Sequence, residues 1–271
     1  MCRHLAYVGP EQPLARLLVE PGHSLLRQSW APRRQRYGTV NADGFGVGWY
    51  AGDDPVPARY RRAGPIWADL SFADLARVVR SGAVLAAVRD ATLAGADAEA
   101  AAAPFASGRW LFSHNGAVAG WPASAAPLVS LLPPVELLSL QARTDSAFVW
   151  ALVLHRLRCG DEPDQALGET VRRLAEAAPA SRLNLLLTDG TSIAATAWGD
   201  TLWYRTEPGR STVVASEPYD DDPLWQEVPD RTVLTASRAG VLLAPLEDPA
   251  SSPTLDSARA GGPPSSKEPC T

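Results

Sequence analysis

Apolar positions along the chain fall into short runs of strand length, separated by turn residues, with helical periodicity confined to the middle. Residues 146–158 and 167–178 repeat apolar side chains at helical spacing, and Thr144 and Asp145 are good capping residues before the first helix. The runs of strand type are residues 1–8, 45–50, 83–88, 110–114, 183–188, 191–198, 201–205, 212–216, 232–236 and 240–245. Strands, then helices, then antiparallel strands predict an α+β domain with layered sheets.

Turn residues set the boundaries of several of these strands. The turn signals are Gly9-Pro10, Asn115-Gly116, Asp189-Gly190 and Gly199-Asp200, the last two being two-residue hairpin signals. Residues 94–107 show neither the helical nor the strand period, so we interpret them as a loop. From residue 248 the chain turns to Ser, Pro, Gly and Ala, which predicts a disordered tail over residues 248–271.

The composition of the chain indicates what kind of molecule it binds. The 271 residues are 46% hydrophobic and carry a formal net charge of -5, which argues against nucleic acid and favours a small-molecule substrate. No apolar stretch is long enough to cross a membrane, and the opening residues lack the pattern of a signal peptide, so a cytoplasmic location is expected. The histidines are scattered and no CxxC motif occurs, so no metal site is predicted.

Cys2 is the first candidate for chemistry. If Met1 is removed, this residue carries both a thiol and a free α-amine, and the amine can accept the thiol proton near neutral pH. The alternative is a small buried cysteine in a first strand, and the Met-Cys dipeptide alone favours that interpretation.

Four separated segments of the sequence favour a catalytic role for Cys2. They are Met1-Cys2-Arg3-His4, Asn41-Ala42-Asp43-Gly44-Phe45-Gly46, Ser113-His114-Asn115-Gly116 and Arg143-Thr144-Asp145-Ser146, with Val88-Arg89-Asp90-Ala91-Thr92 as a weaker fifth. In this order they resemble a class II glutamine amidotransferase domain of the N-terminal-nucleophile hydrolase superfamily. The resemblance implies a four-layer αββα sandwich with two mostly antiparallel sheets, in a domain of residues 2–247.

The resemblance also implies a role for each motif. Cys2 is the nucleophile, and Asn115 with the Gly116 backbone N–H forms the oxyanion hole. The residues implied to bind the γ-glutamyl group are Arg89 at its carboxylate, Asp145 at its ammonium, Thr92, and Asn41 in a turn expected to pack against the chain terminus.

Each of these residues also has an ordinary structural explanation. Asn115-Gly116 is typical of a type I′ hairpin turn, Arg89 of a solvated strand end and Asp145 of a helix N-cap. The sequence departs from many ammonia-transferring relatives at Leu93, where those carry His, so part of the glutamine pocket is altered.

We expect the amidase fold to take up residues 2–247, which leaves no fused synthase domain within the 271 residues. With the opening Met-Cys-Arg-His-Leu-Ala-Tyr, this resembles the γ-glutamyl hydrolases of ergothioneine biosynthesis. The resemblance implies cleavage of γ-glutamyl-hercynylcysteine S-oxide without a metal or organic cofactor. Two alternatives stay open, a stand-alone glutaminase that supplies ammonia to a separate synthase and a catalytically idle binding module. The sequence leaves room for a homo-oligomer.

Overall fold

The computed structural model describes residues 2–52, 54–91 and 99–246. The strands in these ranges are β1 (Arg3–Pro13), β2 (Phe45–Trp49), β3 (Ala58–Arg62), β4 (Arg80–Val88), β5 (Phe105–Ser107), β6 (Trp110–Ala117), β7 (Arg182–Thr188), β8 (Ser192–Ala197), β9 (Trp203–Glu207), β10 (Ser211–Ala215), β11 (Gln226–Glu227), β12 (Thr232–Ser237) and β13 (Gly240–Pro245). The predicted tail from residue 248 lies outside the described residues, as does Thr92.

The α-helices are α1 (Ala15–Leu18), α2 (Leu25–Gln28), α3 (Leu70–Val78), α4 (Pro134–Leu138), α5 (Asp145–Arg158) and α6 (Pro163–Ala177), with 3₁₀ turns at Ile66–Ala68 and Ala123–Leu131. The Thr144 side chain accepts from the Ala147 N–H, so Thr144 is the N-cap of α5. Helix α6 begins with a capping box between Glu162 and Gln165. Both predicted helices are confirmed, although α6 begins four residues before the predicted apolar repeat at Leu167.

The strands form two antiparallel sheets. The first has the order β11-β9-β10-β1-β4-β2-β3, so β1 lies at its centre between β10 and β4. The second has the order β13-β12-β8-β7-β6-β5, with β6 beside β7. A central strand cannot shift its register without exposing its whole apolar face, which fixes the start of β1.

Three apolar clusters show how the layers stack. Ala6, Leu85, Leu111 and Leu186 come from both sheets and meet in one buried cluster, so the sheets pack face to face. The opposite face of the first sheet packs against helices α1–α3, and the opposite face of the second against α5 and α6. The expected four-layer αββα arrangement of an α+β fold is confirmed.

Two turn predictions on the strands of the site are wrong. Gly9-Pro10 does not end β1, which continues to Pro13 after an irregularity in its pairing with β4 between Val8 and Gln12. Asn115-Gly116 does not break β6 either, because both residues pair with β7. In both places the sheet supplies the backbone partners that a local turn would otherwise provide.

Two further boundaries differ from the prediction. Asp189-Gly190 joins the paired strands β7 and β8 as expected, but Gly199-Asp200 carries the chain from β8 in one sheet to β9 in the other. The end of the predicted loop 94–107 forms β5, which pairs with β6. Within the described ranges, no helix has both the length and the apolar character needed to cross a membrane.

Candidate active site

Cys2 lies immediately before β1, half-buried at the edge of the space between the two sheets. Its backbone nitrogen donates a hydrogen bond to Asn115 Oδ1 at 3.2 Å. This nitrogen becomes the α-amine once Met1 is removed, so the contact holds the group that would serve as base. The bond joins the first strand of one sheet to β6 in the other.

Burial and groups from two segments of the chain influence the Cys2 thiol. Burial raises the pKa of this thiol above its ordinary value, and the negative charge of Asp145 acts in the same direction. A backbone hydrogen bond at Asp90 and the positive charge of Arg89 favour the thiolate. Arg89 and Asp145 therefore lie near enough to Cys2 for their charges to act on its thiol. A buried thiol of raised pKa needs a nearby base before it can act as a nucleophile.

Asn115 is fully buried in β6, directly opposite Asn184 of β7. Its Oδ1 accepts from Cys2, and its Nδ2 donates to Ser216 Oγ at 3.4 Å. An amide NH₂ has two N–H groups, so one remains for a substrate oxygen. This arrangement is suited to an oxyanion beside the thiol.

Gly116 follows in the same strand, where its backbone passes close to β7. A Cβ atom at this position would collide with the carbonyl oxygen of Arg182. Close approach of two strands therefore requires glycine here, and the hairpin turn offered as its alternative explanation is wrong.

Arg89 directly follows β4, beside the turn that begins at Asn41. The backbone of Arg89 exchanges hydrogen bonds with Asp43 and Gly44, and its guanidinium donates to the Asp43 carbonyl at 3.2 Å. The turn carbonyls are therefore bound to Arg89, whereas the hydrogen bond from the Cys2 nitrogen goes to Asn115.

Asn41 is fully buried, and its Nδ2 donates to the Gln28 carbonyl and to Gln35 Oε1, each at 3.0 Å. Its Oδ1 has no hydrogen-bond partner among the described residues. A buried acceptor without a donor is costly, so this oxygen is a candidate contact for a bound polar group.

Asp145 is the first residue of α5, and its carboxylate is fixed by the backbone. One oxygen accepts from the Val118 N–H at 3.0 Å and the other from the Ser146 N–H at 2.8 Å. The N-cap role proposed as its alternative belongs to Thr144 instead. Asp145 is half-buried, which leaves it able to meet a cationic group.

Comparison with known proteins agrees with this geometry. Residues 19–208 match the family model of the class II glutamine amidotransferases. The γ-glutamyl-hercynylcysteine sulfoxide hydrolase of Mycolicibacterium smegmatis is 43% identical over 246 residues, which cover 91% of this chain and 100% of the relative. The chain belongs to the class II glutamine amidotransferases. The hydrolase of the same name from Mycobacterium tuberculosis is 40% identical over 249 residues, 91% of this chain and 97% of the relative.

Solved structures give the same family. A class II glutamine aminotransferase domain protein from Silicibacter pomeroyi superposes with a TM-score of 0.66 at 26% identity, covering 91% of this chain and all of that one. The two antiparallel sheets of this class II amidotransferase thus follow a known arrangement, and the family resemblance predicted from the motifs is confirmed.

Sequence reasoning missed Ser216, a lone serine just after β10. Its buried Oγ accepts from the His4 N–H at 3.0 Å and from Asn115 Nδ2. Its backbone N–H donates to the His4 carbonyl at 2.9 Å. No sequence motif identifies Ser216 as a site residue. It reaches Asn115 only because β10 pairs with β1 in the folded protein.

The buried residues behind the nucleophile form a polar layer of this amidotransferase. Arg3 is completely buried and lies 3.6 Å from Asp200, and burial lowers the pKa of its guanidinium while Asp200 and Glu217 raise it. His4 Nδ1 lies 3.1 Å from Ser113 Oγ. His114 contacts Ser146 Oγ and the Arg182 carbonyl, so both of its ring nitrogens have partners.

Proposed function

We propose that this enzyme hydrolyses the γ-glutamyl amide of γ-glutamyl-hercynylcysteine S-oxide, giving glutamate and hercynylcysteine S-oxide. The observation that carries the proposal is the 43% identity to a hydrolase of that name, over the whole length of the relative. The hydrogen bond from the Cys2 nitrogen to Asn115 supplies the chemical support, because it joins nucleophile, base and amide donor in one place.

Cys2 is the nucleophile of the proposed reaction. Its thiol proton passes to its own α-amine, and the sulfur forms a bond to the γ-carbonyl carbon. The free N–H of Asn115 and the Gly116 backbone N–H bind the resulting oxyanion. The C–N bond then breaks as the α-ammonium of Cys2 protonates the leaving amine, which leaves a glutamyl thioester.

Water completes the cycle. The α-amine of Cys2 takes a proton from the water as its oxygen attacks the thioester carbonyl, and the thiol leaves with that proton. Glutamate is released and the enzyme returns to its starting state. The atoms balance without an oxidant, a reductant or a further reactant.

The glutamyl group is bound by charges of opposite sign. Arg89 binds the α-carboxylate, and Asp145 accepts from the α-ammonium. The unpartnered Oδ1 of Asn41 is a third contact, and Thr92 stays a prediction from the resemblance. The influence of both Arg89 and Asp145 on the Cys2 thiol supports their nearness to the scissile bond.

The decisive assay offers two substrates to protein whose loss of Met1 has been verified by intact mass. γ-Glutamyl-hercynylcysteine S-oxide and glutamine are supplied separately at equal concentration, and glutamate release is measured against the Cys2→Ala variant. We expect the conjugate to be cleaved with the higher kcat/KM. Turnover of glutamine alone would favour a glutaminase that serves a separate synthase. No turnover of either substrate by this protein would favour an idle binding module, as would an intact mass that shows Met1 retained in every preparation.

The proposal has three further parts: the bounds of the domain, the place where the enzyme works, and its independence of a cofactor. The amidohydrolase domain spans residues 2–247, the enzyme works in the cytoplasm on a small molecule, and it needs no cofactor. Whether it forms a homo-oligomer stays a prediction. Size-exclusion chromatography with light scattering measures the oligomeric state directly.

A further inference from the structure

Arg182 begins β7, opposite Ala117 of β6 and two residues before Asn184. Side chains two residues apart in a strand lie on the same face, and Asn184 is the direct partner of Asn115. Leu186, two residues further on, belongs to the apolar cluster between the sheets. The Arg182 side chain therefore lies on the face of the second sheet that carries Asn115, at the end beyond it.

The charge of Arg182 has no counterpart in the described part of the chain. No carboxylate there pairs with its guanidinium, and its Nε is buried without a hydrogen-bond partner. The guanidinium carbon lies 4.3 Å from the ring centroid of Tyr37, so the cation is held against an aromatic face. Arg182 is half-buried, and an unpaired cation in such a place is expected to bind an anion.

Tyr37 connects this cation to the glutamyl side of the site. It belongs to the segment between α2 and β2, in which Gln35 binds the Asn41 side chain. At the next residue, Gly38, an added Cβ would collide with the carboxylate of Asp90, so the segment lies directly on the residue after Arg89. One segment thus contacts both Asp90, the neighbour of Arg89, and Arg182.

This arrangement divides the site into two halves. Arg89 and Asp145 take the glutamyl group, and Asn115 and Gly116 take the carbonyl oxygen, so the substituent on the amide nitrogen must point elsewhere. In the amide of an amino acid, the carbon that bears the carboxylate is bonded to that nitrogen. A planar guanidinium with free N–H groups is the side chain that best binds a carboxylate.

We propose that Arg182, held by Tyr37, binds the α-carboxylate of the amine half, so that the enzyme selects γ-glutamyl amides of amino acids over unsubstituted amides. This subsite rests on the proposed function and deepens it. Glutamine has no substituent on its amide nitrogen and gains nothing from Arg182. The cysteinyl amine of the proposed substrate carries such a carboxylate.

A matched pair of substrates tests the subsite. One is γ-glutamyl-S-methylcysteine S-oxide, and the other is the same amide without the cysteinyl carboxylate. We expect the wild-type enzyme to prefer the acid at least tenfold in kcat/KM. Arg182→Gln removes that preference by lowering kcat/KM for the acid alone. Arg182→Lys keeps part of it, because the charge remains but the planar fork is lost.

Controls separate recognition from structure. Arg173→Gln, on the exposed side of α6, keeps the wild-type preference. Tyr37→Phe keeps it as well, because the contact uses the ring, whereas Tyr37→Ala weakens it. If Arg182→Gln lowers kcat/KM equally for both substrates of the pair, or for neither, the proposed subsite is wrong.

The proposed function can fail separately. If the wild-type enzyme leaves γ-glutamyl-hercynylcysteine S-oxide untouched but shows an Arg182-dependent preference within the matched pair, the named substrate is wrong and the subsite stands. If it cleaves the full conjugate and Arg182→Gln has no selective effect, only the subsite is wrong. Cleavage of glutamine with no action on any substituted amide overturns both.

Discussion

The backbone nitrogen of Cys2 and the side-chain oxygen of Asn115 are 3.2 Å apart, although 113 residues separate them in the chain. One residue precedes the central strand of the first sheet, and the other lies within the second sheet. The distance between thiol and amide donor is therefore set by how the two sheets pack. A rigid core between the sheets is what positions this site.

Cys2→Ala should remove turnover and keep binding. Glutamate release falls by a factor on the order of 10⁵, as expected when a nucleophile is deleted. The Kd of γ-glutamyl-hercynylcysteine S-oxide, measured by calorimetry, changes less than about threefold, since we propose that Arg89 and Asp145 bind the glutamyl group. Residual turnover near the wild-type rate would overturn the assignment of the nucleophile.

Asn115 and Ser216 should act as a unit. Asn115→Ala lowers kcat by a factor on the order of 10² to 10³, the usual loss for one oxyanion donor. Ser216→Ala lowers kcat about tenfold with KM unchanged, because Asn115 loses the contact that orients its amide. A double-mutant cycle on kcat measures their coupling.

The cycle has a built-in contrast. Ser216→Ala should cost nothing further once Asn115 is alanine, whereas Ser113→Ala, whose hydroxyl contacts His4, should have the same effect in both backgrounds. Ser216 then acts as a positioning residue. Full additivity of Ser216→Ala and Asn115→Ala would mean that Ser216 has a structural role only.

The strands at the centre of each sheet and helices α5 and α6 could be predicted from the sequence, because each has a clear apolar period. Strand β3 could not be predicted, because its sequence Ala-Arg-Tyr-Arg-Arg is polar. The strand lies at the edge of the sheet and needs no apolar face on both sides. Gly199-Asp200 looks like a hairpin signal in isolation, and only the packing of two sheets shows that it carries the chain between them.

For the site, motif resemblance predicted the residues of the proposed glutamyl half. Cys2, Arg89, Asp145 and Asn115 converge because β1, β4, α5 and β6 all end or pass at the same edge. Ser216 and Arg182 could not be predicted, since an isolated serine and an isolated arginine have no local signature. Their places depend on strand pairings over long sequence distances.

Gly116→Ala should destabilise the fold. The added methyl group meets the Arg182 carbonyl oxygen in a paired strand, which can relieve the contact only by moving apart. We expect a loss of about 1–3 kcal/mol in the free energy of unfolding, the usual cost of overpacking. Urea denaturation measures it. Gly64→Ala is the matched control, because nothing lies within 4 Å of its added Cβ, and it should leave stability near the wild-type value.

His4 should make the folded state sensitive to acid. Burial lowers the pKa of His4 from an ordinary value of 6.5 to about 3, and the nearby charges of Arg3 and His114 act in the same direction. Between pH 3 and pH 6.5, His4 is therefore protonated in the unfolded chain and neutral in the folded chain. This contribution to stability is complete above pH 6.5 and is lost as the pH falls toward 3.

The size of the effect follows from the same shift. Between pH 7 and pH 5 the wild-type protein should lose about 2 kcal/mol of unfolding free energy through His4 alone. In His4→Gln the side chain is neutral at both values, so the loss between pH 7 and pH 5 should be smaller by that amount. Urea denaturation of both proteins at the two pH values measures the difference, which does not depend on how stable the variant is at pH 7. Equal losses in the two proteins would mean that His4 titrates alike in the folded and unfolded chains, and that the polar layer behind Cys2 is open to protons.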